Sequence, residues 1–260
     1  MNNVNKTLYI PLFGKALVSK KGIILEDKSA EKIWAEVGFS LGRKSHSKYL
    51  AYYMAMRARV FDDFVREKIA EHKDTVVLHL GAGLDSRALR VDADVSWYDV
   101  DFSEVISERS RYFCETDTYR MISSDIRDTA YLEAIPKAQH ATVVLEGISM
   151  YLENSQLRNA LRAITEHFES VSLLVDCYTP FAAKMSKIKN PVNDVGVSEV
   201  FGVLGPQVFE ENTGLSLVAE RNMTPAGLIR ELRGFERWLF RSLYAGGISK
   251  RLYKLYEYTK

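Results

Sequence analysis

The sequence predicts an α/β protein with a doubly wound, mostly parallel sheet, and three observations lead to that prediction. From residue 75 onward, short apolar runs alternate with segments of helical periodicity, as strands buried on both faces of a parallel sheet require. Two glycines follow the first apolar run, and acidic residues follow several later runs. Ligands of open α/β sheets bind at the carboxyl ends of strands, so these residues are candidates for a binding site.

Seven runs are predicted to be strands. They cover residues 76–80, 95–100, 119–123, 141–146, 171–176 and 215–220, and the terminal segment RLYKLYEY, which is expected to pair at the sheet edge. Their five or six mainly β-branched and aromatic residues are typical of buried strands. Between them, helical spacing predicts helices over residues 103–113, 155–168 and 224–245.

The first 74 residues read as a helical cover. Ser29 is a candidate cap for one helix, and apolar residues three and four apart predict a long helix over residues 48–72. The stretch 179–214 contains Pro180, Pro191 and Pro206 and is too long for a simple connection, so it is expected to be a lid or insertion. We expect one domain over 1–260, with a cover (1–74), a cofactor-binding core (75–178), the lid (179–214) and C-terminal strands and helix (215–260).

Composition excludes several classes of protein. The chain has 260 residues, with 35 Lys and Arg against 34 Asp and Glu, so its formal charge is only +1. A dedicated nucleic-acid binder would carry a large basic field, and none is expected here. Hydrophobic residues at 47% and charged residues at 27% are ordinary for a folded globular protein.

Cysteine usage and hydropathy predict a cytoplasmic protein without a membrane partner. Two cysteines, Cys114 and Cys177, are too few for a disulfide framework and have no metal-ligand spacing. Pro11, Gly14 and Lys15 interrupt the first apolar stretch, so no signal peptide is expected. No uncharged apolar run approaches the ~20 residues of a membrane span.

The first two predicted strands end in residues suited to a nucleoside. Gly81 and Gly83 permit a sharp turn and a close approach of the backbone to a ligand, although a simple tight turn would also use them. Asp101 follows the second strand, 20 residues after Gly81, and suits a carboxylate that accepts two hydrogen bonds from a ribose diol. Asp99, two residues earlier, is an alternative for that role.

The next two strand ends extend the same pattern. Asp125 could accept a hydrogen bond from an adenine amino group while Ile126 packs on the ring; alternatively, Asp125 caps the segment that begins near Asp128. Glu146 ends a buried strand, where an unpaired carboxylate is costly, so it needs a ligand or a fixed partner. Four successive strand ends thus carry parts of a nucleoside site.

The nature of the cofactor is indicated by position 86. A dinucleotide site would have a third glycine there, and this chain has Ser86 with Asp85 beside it. Cationic S-adenosylmethionine tolerates such acidic surroundings better than a pyrophosphate. Its carboxylate needs a cation, and Arg57 is the first candidate with Arg59 second, since residues two apart face different sides of a helix. Either arginine could instead only pair with a nearby acid.

Six motifs spread over nearly the whole chain carry a family resemblance: LYIPLFGKAL, RARVFDDFV, VVLHLGAGLDSRALR, WYDVDFSEVI, SSDIRD and VVLEGISMYL. With them the chain resembles the leucine carboxyl methyltransferase superfamily, and within it the bacterial O-methyltransferases similar to the tetracenomycin polyketide enzyme. The resemblance implies a Rossmann-like class I methyltransferase fold whose seven-stranded sheet ends in an antiparallel strand. It also implies roles for seven residues: Arg57 at the cofactor carboxylate, Gly81 and Gly83 in the glycine loop, Asp101 at the ribose, Asp125 and Ile126 at the adenine, and Glu146 after strand four.

The expected function is therefore O-methylation of a small molecule with S-adenosylmethionine, which leaves S-adenosylhomocysteine. The acceptor is expected to be a carboxylate or a phenolic hydroxyl on a polyketide-like or other secondary metabolite. An NAD-dependent oxidoreductase and a non-catalytic adenosyl-binding protein are the alternatives.

Few side chains are candidates for a catalytic base, which only a phenol would need. His46 borders the predicted site, Tyr151 and Tyr178 each follow a strand, and His79 reads as a core residue. Lys44 or Lys48 could attract an anionic acceptor. No metal-binding pattern is visible.

Overall fold

A seven-stranded sheet forms the centre of the computed structural model, which describes residues 5–38, 41–42, 45–186 and 200–260. The strand order is β3-β2-β1-β4-β5-β7-β6. The strands are β1 (Thr75–Leu80), β2 (Trp97–Asp101), β3 (Tyr119–Ser123), β4 (His140–Leu145), β5 (Ser170–Tyr178), β6 (Ser216–Glu220) and β7 (Tyr253–Thr259). β7 runs antiparallel to both of its neighbours and the other pairings are parallel. The predicted fold class is confirmed.

Helices cover both faces of this sheet. They are α1 (Tyr9–Lys21), α2 (Lys28–Val37), α3 (Lys48–Glu71), α4 (Arg87–Val91), α5 (Ser103–Arg109), α6 (Asn154–His167), α7 (Pro180–Ser186), α8 (Gln207–Glu210), α9 (Ala226–Glu231), α10 (Gly234–Tyr244) and α11 (Gly247–Leu252). Among the described residues, no helix is both long enough and apolar enough to cross a bilayer.

Successive strand residues belong to two different cores, which explains why most residues of the central strands are apolar. Val77 and Val144 pack with residues of α1, α3, α9 and α10 on one face. Leu78 and Val143 pack with residues of α6 and α8 on the other face. Side chains alternate between faces along a strand, so a strand covered on both sides is apolar at most of its positions.

The helical cover consists of α1, α2 and α3. The 48–72 prediction matches α3, which contacts both α1 and the sheet. α1 was not predicted as a helix, although Pro11 stands in its first turn, where a missing N–H is tolerated. Gly14 lets α1 approach α3 closely, because a Cβ on Gly14 would lie 3.0 Å from the Ala51 carbonyl oxygen.

Two predictions were wrong: the residue that caps α2, and the position of the last strand at the edge of the sheet. Asp27, not Ser29, caps α2, and its side chain accepts a hydrogen bond from the Ala30 N–H at 2.8 Å. The terminal strand β7 is not an edge strand, because it lies between β5 and β6. β6 takes the edge, and its Leu217 and Val218 are accordingly exposed.

The C-terminal half holds further departures from the predicted boundaries. The helix predicted over 224–245 is interrupted at Leu232 and Arg233, where Arg233 is extended and Gly234 has a φ of 51°. The helix predicted over 103–113 ends at Arg109. Within the predicted lid, α7 and α8 are helical, and 187–199 lie outside the described residues.

Candidate active site

One cavity of about 880 Å³ lies at the carboxyl edge of the sheet, beneath α1, α3, α7 and the α10–α11 region. Its volume is within the ~300–1,000 Å³ typical of small-molecule sites. The structure brings all seven predicted cofactor-binding residues to this cavity: Arg57, Gly81, Gly83, Asp101, Asp125, Ile126 and Glu146.

The glycine loop after β1 needs its glycines for backbone conformation. Gly81 has a φ of 67° and Gly83 a φ of 55°, a region that other residues enter only with strain. A Cβ on Gly81 would also lie 2.4 Å from Cγ2 of Ile148. The simple-turn interpretation and the binding interpretation are thus both compatible with the loop, whose residues line the cavity.

Asp101 is fixed by the backbone of two loops. Its Oδ2 accepts a hydrogen bond from the Gly83 N–H at 2.8 Å, and its Oδ1 accepts one from the Phe102 N–H at 2.8 Å. Burial raises the pKa of Asp101, and these two hydrogen bonds act in the opposite direction. The carboxylate lines the cavity in a defined orientation, with lone pairs left for a ligand.

Asp99 does not compete with Asp101, because its carboxylate is fully engaged in the core. It forms an ion pair with Arg109 and accepts hydrogen bonds from the Tyr119 hydroxyl at 2.7 Å and the Trp97 Nε1–H at 2.8 Å. Burial alone would raise the pKa of Asp99, but Arg109 and the other partners lower it to about 2.

At the end of β3, Asp125 and Ile126 both line the cavity. Asp125 accepts a hydrogen bond from the Arg127 N–H at 2.9 Å and pairs with the same residue's guanidinium. Ile126 is 8% exposed and presents an apolar surface. The alternative role of Asp125 as a helix cap is taken by Asp128, which accepts from the Ala130 N–H at 3.2 Å.

Arg57 is buried among acidic and hydroxyl partners but keeps a donor for a ligand. Nε donates to Glu146 Oε1 at 2.9 Å, and Nη1 donates to Asp176 Oδ2 at 2.8 Å and to the Tyr253 hydroxyl at 2.9 Å. No described residue accepts a hydrogen bond from Nη2. Nη2 lies beside Gly147, since a Cβ added to that glycine would be 3.1 Å from Nη2.

Arg59, the second candidate for the cofactor carboxylate, does not line the cavity. Arg59 pairs with Asp63 at 2.8 Å and donates to the Ile24 carbonyl at 3.0 Å, outside the lining of the cavity. The expectation that the two arginines face different sides of their helix is confirmed, and Arg57 is the one at the cavity.

Glu146 has the fixed partners that its buried position required. Arg57 and Arg87 both donate to its carboxylate. Burial would raise the pKa of Glu146, but the two guanidinium groups outweigh that effect and lower it. Glu146 is therefore ionised and holds Arg57 in place.

A buried charge network beneath the site was not predicted. Lys15 lines the cavity and forms an ion pair with Asp85 at 3.0 Å. Among the described residues the network has four cations and five carboxylates, and hence one net negative charge: Lys15, Arg57, Arg87 and Arg90 with Asp27, Asp62, Asp85, Glu146 and Asp176. The only local sequence signal was the spacing of Asp85, Arg87 and Arg90 in LDSRALR.

The other end of the cavity is apolar and aromatic. Tyr151 and Tyr178 line it as predicted, joined by three tyrosines and three methionines: Tyr53, Tyr244, Tyr253, Met54, Met150 and Met185. Burial raises the pKa of Tyr151, so its hydroxyl is protonated at neutral pH and is a poor base.

Neither His46 nor Lys48 lines the cavity. His46 is exposed, stacks on Phe13 with ring centroids 4.4 Å apart, and does not line the cavity. His79 is buried between Asp99 and Arg87, as expected of a core histidine, and its side chain also lines the cavity. Lys48 pairs with Glu236 at 2.6 Å, and Lys44 lies outside the described residues.

Comparisons with known proteins agree with this geometry. Residues 3–165 match the family model of leucine carboxyl methyltransferase. The chain is also 28% identical to the tetracenomycin polyketide synthesis O-methyltransferase TcmP of Streptomyces glaucescens. The alignment covers all of this chain and 97% of that protein.

Two solved structures share the fold. A candidate methyltransferase of Thermobifida fusca superposes with a TM-score of 0.61 at 15% identity, covering 96% of this chain and 94% of that one. Magnesium protoporphyrin IX methyltransferase of Synechocystis, solved with bound S-adenosylhomocysteine, superposes with a TM-score of 0.52 at 9% identity. The superposition covers 95% of this chain and 99% of that one. The sheet and its flanking helices are thus those of a class I methyltransferase.

Proposed function

The chain belongs to the leucine carboxyl methyltransferase family, and from that membership we propose that it is an S-adenosylmethionine-dependent O-methyltransferase of a small molecule. The observation that carries the proposal is the convergence of Gly81, Asp101 and Arg57 on one cavity. Gly81 and Asp101 lie at the ends of two strands and Arg57 lies within α3, and each supplies a group that suits one part of the cofactor.

The donors and acceptors present fit the parts of this cofactor. Arg57 Nη2 has two N–H groups for the cofactor carboxylate, and Asp101 has lone pairs for the ribose diol. Asp125 and Ile126 suit the adenine amino group and ring. Glu146 lines the cavity and accepts from Arg57 and Arg87, so it holds Arg57 in place beside the cofactor.

The charge of the site also favours this cofactor. The buried network carries one net negative charge, and S-adenosylmethionine, with a sulfonium, an ammonium and a carboxylate, carries one net positive charge. A pyrophosphate would instead add negative charge beside Asp85 and Asp101. Ser86, in place of a third glycine, donates to Asp27 Oδ1 at 2.6 Å and so has a structural partner.

When bound, the cofactor supplies an electrophilic methyl group on a positively charged sulfur. The chain then has to place the acceptor oxygen in line with that methyl group and keep water away. The lining residues Tyr53, Met54, Met150 and Tyr178 present apolar surface for that purpose.

The acceptor end suits a largely apolar, aromatic small molecule. The 28% identical relative is named as a polyketide-synthesis enzyme, and the lining of tyrosine and methionine side chains is compatible with a polyketide-like acceptor. We propose a carboxylate or a hydroxyl of such a molecule as the group that is methylated.

Calorimetry with S-adenosylmethionine tests the proposal. Asp101→Asn removes a charged acceptor, and Arg57→Met removes the free Nη2 donors, so each should weaken binding by roughly 10- to 100-fold. Arg59→Met, two residues along the same helix, is the matched control and should bind like the wild type. NAD should not bind measurably.

Absence of S-adenosylmethionine binding to the wild type, or unchanged binding in both site variants, would overturn the proposal. Because Arg57→Met leaves Glu146 and Asp176 with one partner fewer, its folding is checked by circular dichroism. Asp101→Asn turns an NH2 group toward one of the two backbone N–H groups that Asp101 accepts from, so its folding is checked in the same way.

A further inference from the structure

The outer face of α10 carries an aromatic pair that the described residues leave exposed to solvent. Phe235 is 69% exposed and Trp238 is 62% exposed, and their rings stack with centroids 5.5 Å apart. Single exposed apolar residues are ordinary on a folded protein, whereas two large aromatic side chains in contact form a continuous apolar surface. This surface is therefore a candidate for binding a partner.

The apolar surface extends along α10 to the opening of the cavity. Phe235, half-buried Leu239 and Leu243 are spaced four apart, so they lie in one row along the helix. Leu243 is exposed and also lines the cavity, as does Met185 of α7. A side chain that is both exposed and part of the cavity lining lies at its opening. The row thus connects the aromatic pair with the acceptor end of the cavity.

On the other side of Trp238 the surface is basic. Arg237 and Arg241 are four apart on α10, Arg233 is the N-cap residue of that helix, and Arg230 belongs to α9. All four arginines are exposed. Among the described residues no carboxylate pairs with any of them, and Arg230 and Arg237 donate to backbone carbonyl groups.

The two acidic residues of the same segment are engaged on the inner side. Glu236 pairs with Lys48 of α3 at 2.6 Å and accepts a hydrogen bond from the Tyr52 hydroxyl at 2.9 Å. Glu231 accepts a hydrogen bond from the Ile24 N–H, just after α1. The outer face therefore carries an excess of positive charge, which an anionic partner would complement.

We propose that α10 binds the surface of an anionic lipid bilayer, with Phe235 and Trp238 among the headgroups and the arginines at the lipid phosphates. A tryptophan suits this interface because its ring is apolar and its N–H is polar. The long side chains of the arginines reach phosphate groups while the helix lies on the bilayer. The expectation of no membrane partner rested on the absence of an apolar span, and a helix that lies on the surface needs none.

The position of the cavity favours a bilayer over a protein partner. An apolar acceptor dissolves in lipid, so a cavity that opens at the bilayer surface receives it without transfer through water. A protein or a second copy of this chain on the same face would instead cover the opening beside Leu243 and Met185. The acceptor belongs to the proposed function, whereas the binding of α10 to lipid does not depend on it.

Co-sedimentation of the full chain with lipid vesicles tests the charge requirement. The wild type should bind vesicles of phosphatidylcholine with about one-third phosphatidylglycerol roughly 10-fold more tightly than vesicles of phosphatidylcholine alone, and less tightly as the salt concentration rises. The double variant Arg233→Gln/Arg241→Gln should weaken binding to the anionic vesicles by roughly 30-fold. The matched control is Arg120→Gln/Arg162→Gln, which removes two exposed arginines from β3 and α6 and should bind like the wild type.

A second pair of variants tests the aromatic residues. Phe235→Ser/Trp238→Ser should weaken binding to the anionic vesicles by roughly 10-fold. Leu217→Ser/Val218→Ser removes the exposed apolar pair of the edge strand β6 instead, and should leave binding unchanged.

Tryptophan fluorescence reports where α10 lies on the vesicle. The chain has three tryptophans, of which Trp97 is buried and Trp34 is half-buried. Emission should shift to the blue with anionic vesicles, and lipids with brominated acyl chains should quench it. Trp238→Phe should lose the quenching and keep vesicle binding within a few fold, because it retains an aromatic ring at that position.

Four results would overturn the proposal: no binding of the wild type to anionic vesicles, equal binding to both kinds of vesicle, equal losses in the control variants, or a wild-type dimer that Phe235→Ser/Trp238→Ser converts to a monomer while vesicles are not bound. The last result would assign the face to a second copy of the chain. Calorimetry with S-adenosylmethionine on the same proteins separates the two proposals. Vesicle binding without cofactor binding refutes the proposed function alone, and cofactor binding without vesicle binding refutes this inference alone.

Discussion

Arg87 has no exposed surface, and its guanidinium joins two separate parts of the molecule. It donates to Asp62 of α3 at 2.7 Å and to Glu146 at the end of β4. A buried ion pair is costly to desolvate, but removing one member leaves the remaining charge unpaired and costs more. Arg87 therefore ties the long helix of the cover to the strand end that holds Arg57.

Arg87→Met should lower the free energy of unfolding by about 3 kcal/mol, which is roughly 6 to 12 °C in Tm for a chain of this size. Arg111→Met is the control, because Arg111 pairs with Glu108 at 2.9 Å on an exposed surface and should have no measurable effect. Urea denaturation measures both variants. Equal stability of Arg87→Met and the wild type would show that the network does not stabilise the fold.

Individual site residues were predictable where they directly follow a strand. Gly81, Asp101 and Glu146 are found from the strand pattern alone, because the carboxyl ends of parallel strands meet at one edge. The partners of Arg57 were not predictable in this way. Asp176 is 119 residues and Tyr253 is 196 residues away along the chain, and no local spacing indicates which distant side chains share a buried arginine.

At the scale of elements, β4 contributes to two different ends of the sheet. Its carboxyl end leads to Glu146 at the cavity, and its amino end begins with buried His140. His140 Nδ1 lies 2.7 Å from the Thr75 hydroxyl, and Nε2 lies 3.0 Å from the Ser172 hydroxyl. The ring stacks on His72 at 3.7 Å between centroids.

This position makes stability depend on pH. Burial, with smaller effects from His72 and Lys68, lowers the pKa of His140 from 6.5 to about 4. Between these two pH values the unfolded chain therefore carries a proton on His140 and the folded chain does not. The contribution of His140 to the free energy of unfolding is fully present above pH 6.5 and is lost as the pH falls toward 4.

His140→Gln should flatten this pH dependence. Between about pH 7.5 and about pH 5, the wild type should lose roughly 1 kcal/mol more free energy of unfolding than the variant. Denaturant titrations at the two pH values measure the difference, and because the comparison is between pH values, a constant cost of the substitution cancels. Parallel pH profiles for the two proteins would exclude His140 as the origin of the effect.

Elements were predictable where one physical pattern dominates. The strands gave short, mainly apolar and β-branched runs, so all seven were found within a few residues. The place of β7 between β5 and β6 was not predictable, because pairing order depends on contacts between distant segments. The break between α9 and α10 was not predicted. A single glycine in a helical pattern does not by itself indicate a break, and Gly234 has a φ of 51° there.

For the molecule as a whole, the carboxyl edge of the sheet divides into two halves. The ends of β1, β2 and β3 carry the glycine loop, Asp101 and Asp125, which we assign to the nucleoside. The ends of β4 and β5 and the start of β7 carry Glu146, Asp176 and Tyr253, with Arg57 between them. On this account the methyl group is transferred where the two halves meet.

The alternation of strands and helices in the sequence was sufficient to predict the fold. It also predicted that the residues following the strands lie at one cavity, since the carboxyl ends of parallel strands meet at one edge. The acceptor half was not predictable. Tyr253, Tyr244 and Met185 come from three separate C-terminal elements and meet only in the folded chain. Specificity is set by such surfaces, which carry no periodic signal.

A crystal structure of the protein soaked with S-adenosylhomocysteine tests the central assignment most directly. We predict that the carboxylate of the ligand is within hydrogen-bond distance of Arg57 Nη2 and that its ribose hydroxyls are bonded to Asp101. A ligand bound with its ribose away from Asp101, or with its carboxylate on a cation other than Arg57, would contradict the assignment.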